Sequence, residues 1–208
     1  MSDPFPPSTP TTTRPHQRQL ILGSTSIYRA ELLGRLRLPF LCERPEVDES
    51  PYPDEAPSAI ARRLALAKAH SVAQRFPDAV VIGSDQVADL AGMPLGKPGT
   101  HERAVAQLQR MRGHSVVFHT AVAVVCVSSG FEEVDLAPVS VLFRDLDDAD
   151  IQHYLQAEQP YDCAGSAKSE GLGIALLERI DSDDPTSLVG LPLIRTCRML
   201  RAAGVRIL

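Results

Sequence analysis

Residues 79–85, Ala-Val-Val-Ile-Gly-Ser-Asp, constrain this chain more than any other stretch. The first four are apolar and three of them are β-branched, a run that reads as a strand covered on both faces. Such a strand belongs to an α/β fold. Asp85 follows directly and is expected at the strand's carboxyl end, where open α/β sheets bind their ligands. Two readings of residues 83–85 stand on position alone: a turn leaving a core strand, or a carboxylate offered to a site.

The 208 residues are 44% hydrophobic, enough to bury a full core as one domain or two small lobes. The net charge is −5 with Lys and Arg spread along the chain. That argues against a nucleic-acid polymer as partner but leaves room for a phosphate-bearing small molecule. Cys42, Cys126, Cys163 and Cys197 form no C-x-x-C pair and read as reduced, mostly buried thiols. No run approaches the roughly 18 apolar residues of a membrane span, and no hydrophobic signal region opens the sequence. The expectation is a soluble, cytoplasmic protein without a membrane partner.

Residues 1–18 carry proline at 4, 6, 7, 10 and 15 and are expected to form a disordered arm. Residues 19–208 then read as one two-lobed domain. Leu20-Ile21-Leu22 is a strand, and Gly23-Ser24-Thr25-Ser26 turns from it into a helix over 27–35 with Ser26 as N-cap. Free backbone N–H groups at such a helix start make an anion site, with Ser24 and Ser26 as candidate phosphate contacts. Arg29 sits in the first helical turn, where the dipole favours an acid; a cation there makes more sense if an anion is shared.

A second strand is expected over 38–42. The acidic loop Glu46-Val47-Asp48-Glu49-Ser50 reads either as a holder for a hard cation such as Mg²⁺ or as a solvated loop. A helix over 57–76, capped by Ser58, has Ile60, Leu64, Ala67 and Val72 as its apolar stripe. Lys68 falls on that stripe, and either snorkels to the surface or points into a site beside Asp85. Leu90 and Met93 suggest a hairpin return before Leu95-Gly96-Lys97-Pro98, where Lys97 suits a phosphate contact or an ordinary turn. Helices are expected over 102–111 and 146–156, and strands over 115–127 and 134–143 pair as the hairpin of a second lobe. Residues 163–173 are glycine-rich, match neither a Walker loop nor the dinucleotide fingerprint, and carry Lys168 and Glu170. A strand over 174–180 and a helix ending near 203 close the chain.

No H-E-x-x-H spacing, no G-x-S-x-G elbow and no cysteine with an evident catalytic partner is present. What remains is cations (Arg29, Lys68, Lys97, Lys168), carboxylates (Glu49, Asp85, Glu170) and small-residue turns. That set fits phosphoric anhydride chemistry. Cations and Mg²⁺ screen the phosphates while a carboxylate orients a water or takes its proton.

Ser24-Thr-Ser-Ile-Tyr-Arg29, Pro45-Glu-Val-Asp-Glu49, Ala67-Lys68, Gly83-Ser-Asp-Gln86, Gly96-Lys-Pro98 and Val189-Gly-Leu-Pro192 resemble, in order and spacing, the Maf family of nucleotide pyrophosphatases. The resemblance covers nearly everything after Gln19. It implies a two-lobed α/β fold with a long central mixed sheet and a cleft between lobes, like the inosine-triphosphate pyrophosphatases. It also implies hydrolysis of a nucleoside triphosphate between its α and β phosphates with a divalent cation, Mg²⁺ or Mn²⁺. Under it Asp85 accepts the water's proton, Arg29, Lys68 and Lys97 contact phosphate, Lys168 adds a further phosphate contact, and Glu49 with Asp85 holds the metal. Ile27 stands where the family has proline, which removes no functional group.

Tyr28, Gln86 and Glu170 stand where members preferring dTTP and UTP have Arg, Thr and Gln. With Cys163-Ala-Gly-Ser and Asp184-Pro185, they resemble the 7-methyl-GTP pyrophosphatase subgroup. A positively charged N7-methylguanine suits stacking on Tyr28, worth ~0.5–2 kcal/mol. Glu170 suits the guanine N1–H and amine. The expected partner is a small-molecule nucleotide, and a homodimer is left open. Two alternatives stay open: the same chemistry on UTP or dTTP, or a regulatory role in septum formation. The presence of Asp85, Arg29, Lys68 and Lys97 weighs against pure regulation.

Overall fold

The structure is a computed structural model describing residues 18–208. The arm expected over residues 1–18 lies outside the described residues, Arg18 apart. Seven strands form one mixed sheet: β1 (Leu20–Gly23), β2 (Leu41–Cys42), β3 (Val80–Leu90), β4 (Met93–Leu95), β5 (Ser115–Cys126), β6 (Phe131–Phe143) and β7 (Leu177–Asp181). Their order is β2-β1-β3-β5-β6-β7, with β4 also on β3. β1 runs parallel to β2 and β3, and the remaining pairs are antiparallel. The helices are α1 (Ile27–Gly34), α2 (Pro57–Ala73), α3 (His101–Met111), α4 (Asp148–Glu158) and α5 (Leu193–Ala202).

Alternation along β3 and β5 sends successive side chains to opposite covers. On one face Val81, Val87, Ala121, Ala123 and Val125 pack under α2. On the other, Val80, Ile82, Val122 and Val124 pack with Leu32, Leu33, Met199 and Leu200 of α1 and α5. Further along that second face, Ala88, Val116 and Phe118 pack with α3 and α4. Ser84, Gln86 and Thr120 lie between these two clusters and interrupt them with polar groups. The interruption separates the two lobes, so the expected two-lobed mixed-sheet architecture is present.

The central strand differs from expectation in one respect that matters. It does not end at Ile82 but runs to Leu90, because antiparallel β5 continues to pair with it as far as Asp89. Parallel β1 stops at Gly23, opposite Gly83. Asp85 is therefore mid-strand, just beyond the carboxyl end of its parallel neighbour. Gly83 is not a turn residue: a Cβ there would run into the Ala65 carbonyl oxygen and lie 2.5 Å from the Ala69 amide nitrogen. A Cβ on Gly23 would come within 3.2 Å of the Lys68 carbonyl oxygen. Glycine at both paired positions lets the α2 backbone press directly on the sheet.

Smaller corrections follow from local chemistry. The second strand shrinks to two exposed residues, Leu41–Cys42. α2 starts with Pro57 at its first position behind Ala56, where a missing N–H costs nothing, rather than with a Ser58 cap, and it ends at Ala73. The last strand begins at Leu177, since Leu172–Leu176 is a 3-10 turn. Of the four free cysteines only Cys126 is buried; Cys42 lies exposed on the two-residue edge strand. Ser26 caps α1 as expected, and Asp147 caps α4 in a reciprocal box with Asp150.

Candidate active site

Lys68 reaches Asp85 because α2 sits so close to the sheet. Its Nζ donates to Asp85 Oδ1 at 2.6 Å and also pairs with Glu49 Oε1 at 2.7 Å. Lys68 and Asp85 are 6% and 7% exposed, so their charges attract in a poorly screened medium. Burial pushes the Asp85 carboxyl above the usual carboxylate range, against the opposing pull of Lys68 and Arg29, and Glu49 pushes the same way as burial. Burial also raises Glu49, but the hydrogen bond and charge of Lys68, with Lys97 and Arg29, bring it below the usual range. Of two neighbouring acids, the buried one is thus the better proton acceptor.

Arg29 and the turn before α1 form the adjoining wall. Ser24 Oγ accepts from the Ser26 amide at 3.1 Å and from Arg29 Nη1 at 3.4 Å, while Ser26 Oγ accepts from the Arg29 amide. Arg29 Nε donates to the Gly190 carbonyl at 2.9 Å, a contact across 161 residues. Desolvation lowers the guanidinium's pKa while Asp85 and Glu49 raise it; guanidinium remains charged at any working pH. α1 has no acid in its first turn, so its N-terminal amides and Arg29 make one positive corner. Lys97 is exposed in the loop after β4, close enough to Glu49 to lower its pKa.

The turn around Val189-Gly-Leu-Pro192 packs into the polar gap on the sheet. Ser84 Oγ lies 2.8 Å from the Ala121 carbonyl and 2.9 Å from that of Gly190. Gln86 Nε2 donates to Thr120 Oγ1, the Ser187 carbonyl and the Leu188 carbonyl at 2.9–3.0 Å. Asp184 is fully buried and accepts from Thr186 Oγ1 and the Arg195 amide, serving the start of α5.

Lys168 and Glu170 come near Tyr28, the neighbour of Arg29 on α1. Lys168 Nζ lies 5.6 Å from the Tyr28 ring centroid and pairs with Glu158 Oε1 at 2.6 Å. Lys168, expected at the phosphates, has its ammonium committed here. The Tyr28 hydroxyl is raised chiefly by desolvation, with Asp162 and Glu170 adding to it and Lys168 opposing. Burial pushes the Cys163 thiol up to about 12, which leaves it protonated and unreactive. Glu170 lines a cavity of about 380 Å³ with Val139, Ile174, Ile180, Leu188 and Val189.

Sequence reasoning missed Ser84, Thr120 and Glu158. Ser84 lies inside a motif that was read for its acid. Glu158 carries only a weak signal in the sequence: an acid at the last position of a helix opposes the dipole there, which a cation from outside the helix would offset. The acidic loop does not gather by itself. Asp48 turns back to the Ser50 amide, and among the described residues no three His, Cys, Asp or Glu side chains cluster as metal ligands. Glu49 and Asp85, converging on one ammonium, still suit a hard cation, since Mg²⁺ ordinarily takes one or two carboxylates and completes its shell with phosphate and water.

A family model described as Maf-like protein matches residues 19–203. The chain is 71% identical over 195 residues to the 7-methyl-GTP pyrophosphatase of a Polaromonas species, covering 94% of this chain and 89% of that protein. It is 67% identical over 196 residues to the protein of that name from Albidiferax ferrireducens, covering 94% and 98%. With that from Burkholderia thailandensis the identity is 60% over 189 residues, covering 89% and 88%.

Proposed function

The chain belongs to the Maf-like protein family, and from that premise we propose that it hydrolyses 7-methyl-GTP to 7-methyl-GMP and pyrophosphate. The observation that carries the chemistry is the buried Lys68–Asp85 pair, 2.6 Å apart, with Glu49 and Arg29 beside it. A carboxylate raised by burial yet kept ionised by Lys68 is suited to take a proton from water. Asp85 is that acceptor. The water oxygen attacks phosphorus at the α–β anhydride, the bridging bond breaks, and the pyrophosphate leaves with its charge met by Arg29 and Lys97. Arg29 is fixed by Gly190 and Ser24, so little reorganisation is needed as that charge develops. A divalent cation held between Glu49 and Asp85 would neutralise triphosphate oxygens.

The base is placed beside Tyr28, with Glu170 facing the guanine N1–H and exocyclic amine and the 380 Å³ cavity receiving the ring's edge. Gln86 shapes that seat by holding the Ser187 and Leu188 carbonyls. The names of the close relatives support 7-methyl-GTP as substrate. A protein working on free nucleotides is expected in the cytoplasm.

Pyrophosphate release from 7-methyl-GTP, GTP, UTP and dTTP, each with Mg²⁺ and with Mn²⁺, tests the reading. We expect 7-methyl-GTP to have the highest kcat/KM, with release abolished by chelator and restored by either metal. Strong turnover of UTP or dTTP with none of 7-methyl-GTP would overturn the substrate assignment. Undiminished release in chelator would overturn the metal.

A further inference from the structure

Two side chains one turn apart on α4, Tyr154 and Glu158, hold the same short segment of chain. The buried Tyr154 hydroxyl donates to the Ser166 carbonyl at 3.2 Å and accepts from the Lys168 amide at 3.0 Å. Glu158 Oε1 takes the Lys168 ammonium at 2.6 Å and Oε2 takes the Leu172 amide at 2.9 Å. The segment between these anchors carries Glu170 at its middle and presents Lys168 to the Tyr28 ring.

Glu158 is oddly placed for a purely helical role. It closes α4, where the helix dipole disfavours an anion, and no basic residue of the last turn offsets it. Its compensation comes wholly from the segment: the ammonium and amide hydrogen bonds draw its carboxyl below the usual range. Gly171 opposite makes room for it. A Cβ on Gly171 would lie 2.6 Å from Glu158 Oε2, and one on Gly173 would run into the Lys168 carbonyl oxygen. Gly171 is thus the imprint of a carboxylate pressed against the backbone, and Gly173 that of the segment folding back on Lys168.

We propose that Glu158 is a positioning residue for base selection: through Lys168 and Leu172 it fixes the segment that carries Glu170, and it holds the Lys168 ammonium at the Tyr28 ring. This rests on the reading that Tyr28 and Glu170 select the base. Charge-assisted hydrogen bonds such as these are the stronger kind, and both oxygens of the carboxylate are used. Without them the segment keeps anchors only toward its Ser166–Lys168 end, from Tyr154 and from Gln107, and Glu170 no longer meets the base in one geometry.

The test is kcat and KM on 7-methyl-GTP, GTP and UTP for wild type, Glu158→Gln, Glu170→Gln and the double variant, with melting temperatures for each. We expect Glu158→Gln to reduce the wild-type preference among nucleotides at least tenfold, through KM, with kcat on the preferred substrate within about twofold. In the double variant the preference should be no weaker than in Glu170→Gln alone, because one acts through the other. Glu158→Asp, which retains the charge, should recover part of the preference. Unchanged preferences in a folded Glu158→Gln overturn the inference, as does a parallel fall in kcat on every substrate that tracks a lowered melting temperature. Should the wild type prefer another nucleotide, the substrate reading has failed; the role of Glu158 then stands or falls on whether Glu158→Gln erodes that other preference.

Discussion

The two halves of the site are built differently. The half proposed for the phosphates rests mainly on regular structure: Asp85 is in mid-strand, Lys68 on a helix seated by two glycines and Arg29 in the first turn of α1, with Glu49 and Lys97 supplied by loops. Its central pair is buried and poorly screened. The half proposed for the base sets an irregular segment, with Lys168 and an exposed Glu170, against Tyr28 of α1. Proton transfer demands fixed geometry and a shifted pKa, which a close-packed interior supplies. Recognition of one base among several can be set by a braced loop.

The largest expected effect breaks the first half alone. Asp85→Asn should lower kcat by about 10²–10⁴-fold with little change in nucleotide preference; pyrophosphate release on a panel of nucleotides measures both. Next comes Lys68→Met. Loss of its charge-assisted hydrogen bond, ~1.5–3 kcal/mol, should cost roughly 10–100-fold at neutral pH. It should also move the acidic limb of the kcat–pH profile to higher pH, because burial then raises Asp85 without the opposing ammonium.

Stability should show the same asymmetry. Asp85 binds its proton more tightly folded than unfolded, so its contribution falls as pH rises through the window above the ordinary Asp value. Glu49 is lowered on folding, so its contribution is present above the ordinary Glu value and is lost as pH falls below it. Asp85→Asn should remove the first slope and leave the second, as chemical denaturation across pH would show.

A pair of glycine variants sharpens the contrast. Gly83→Ala drives a methyl into the α2 backbone, which cannot yield without moving Lys68. Its expected cost is about 1–3 kcal/mol of stability together with activity on every substrate. Gly171→Ala meets only the end of the Glu158 side chain, which can swing away, so preference should weaken while melting temperature and kcat hold. The smallest effect is Tyr28→Leu. Losing a cation–π contact of ~0.5–2 kcal/mol should raise KM for 7-methyl-GTP about 2–30-fold and leave KM for GTP nearly unchanged.

Much of this is legible in the sequence. Lys68 stands on an apolar stripe where a lysine needs a reason, Arg29 in a helix turn that favours an acid, and Asp85 directly after an apolar, β-branched run. Ser26 as a cap followed from residue type and position. These are local facts, carried by periodicity and by the chemistry of helix ends. The amino-acid order therefore determined the α/β class and the family, and it singled out the residues on which the proposed phosphate chemistry rests.

Only the tertiary structure decided what each of them touches. Gly83 looked like a turn and proved to be a site of close approach, because the nearness of α2 depends on packing and not on neighbours in sequence. Arg29 is held by a carbonyl 161 residues away, and Gln86 by one 101 residues away. Lys168, a free cation on paper, is bound to Glu158 and set against Tyr28. Sequence spacing measures distance along the chain; the order β1-β3-β5-β6 and the covers on each face determine distance in space, and hydrogen bonds and screening depend on the latter.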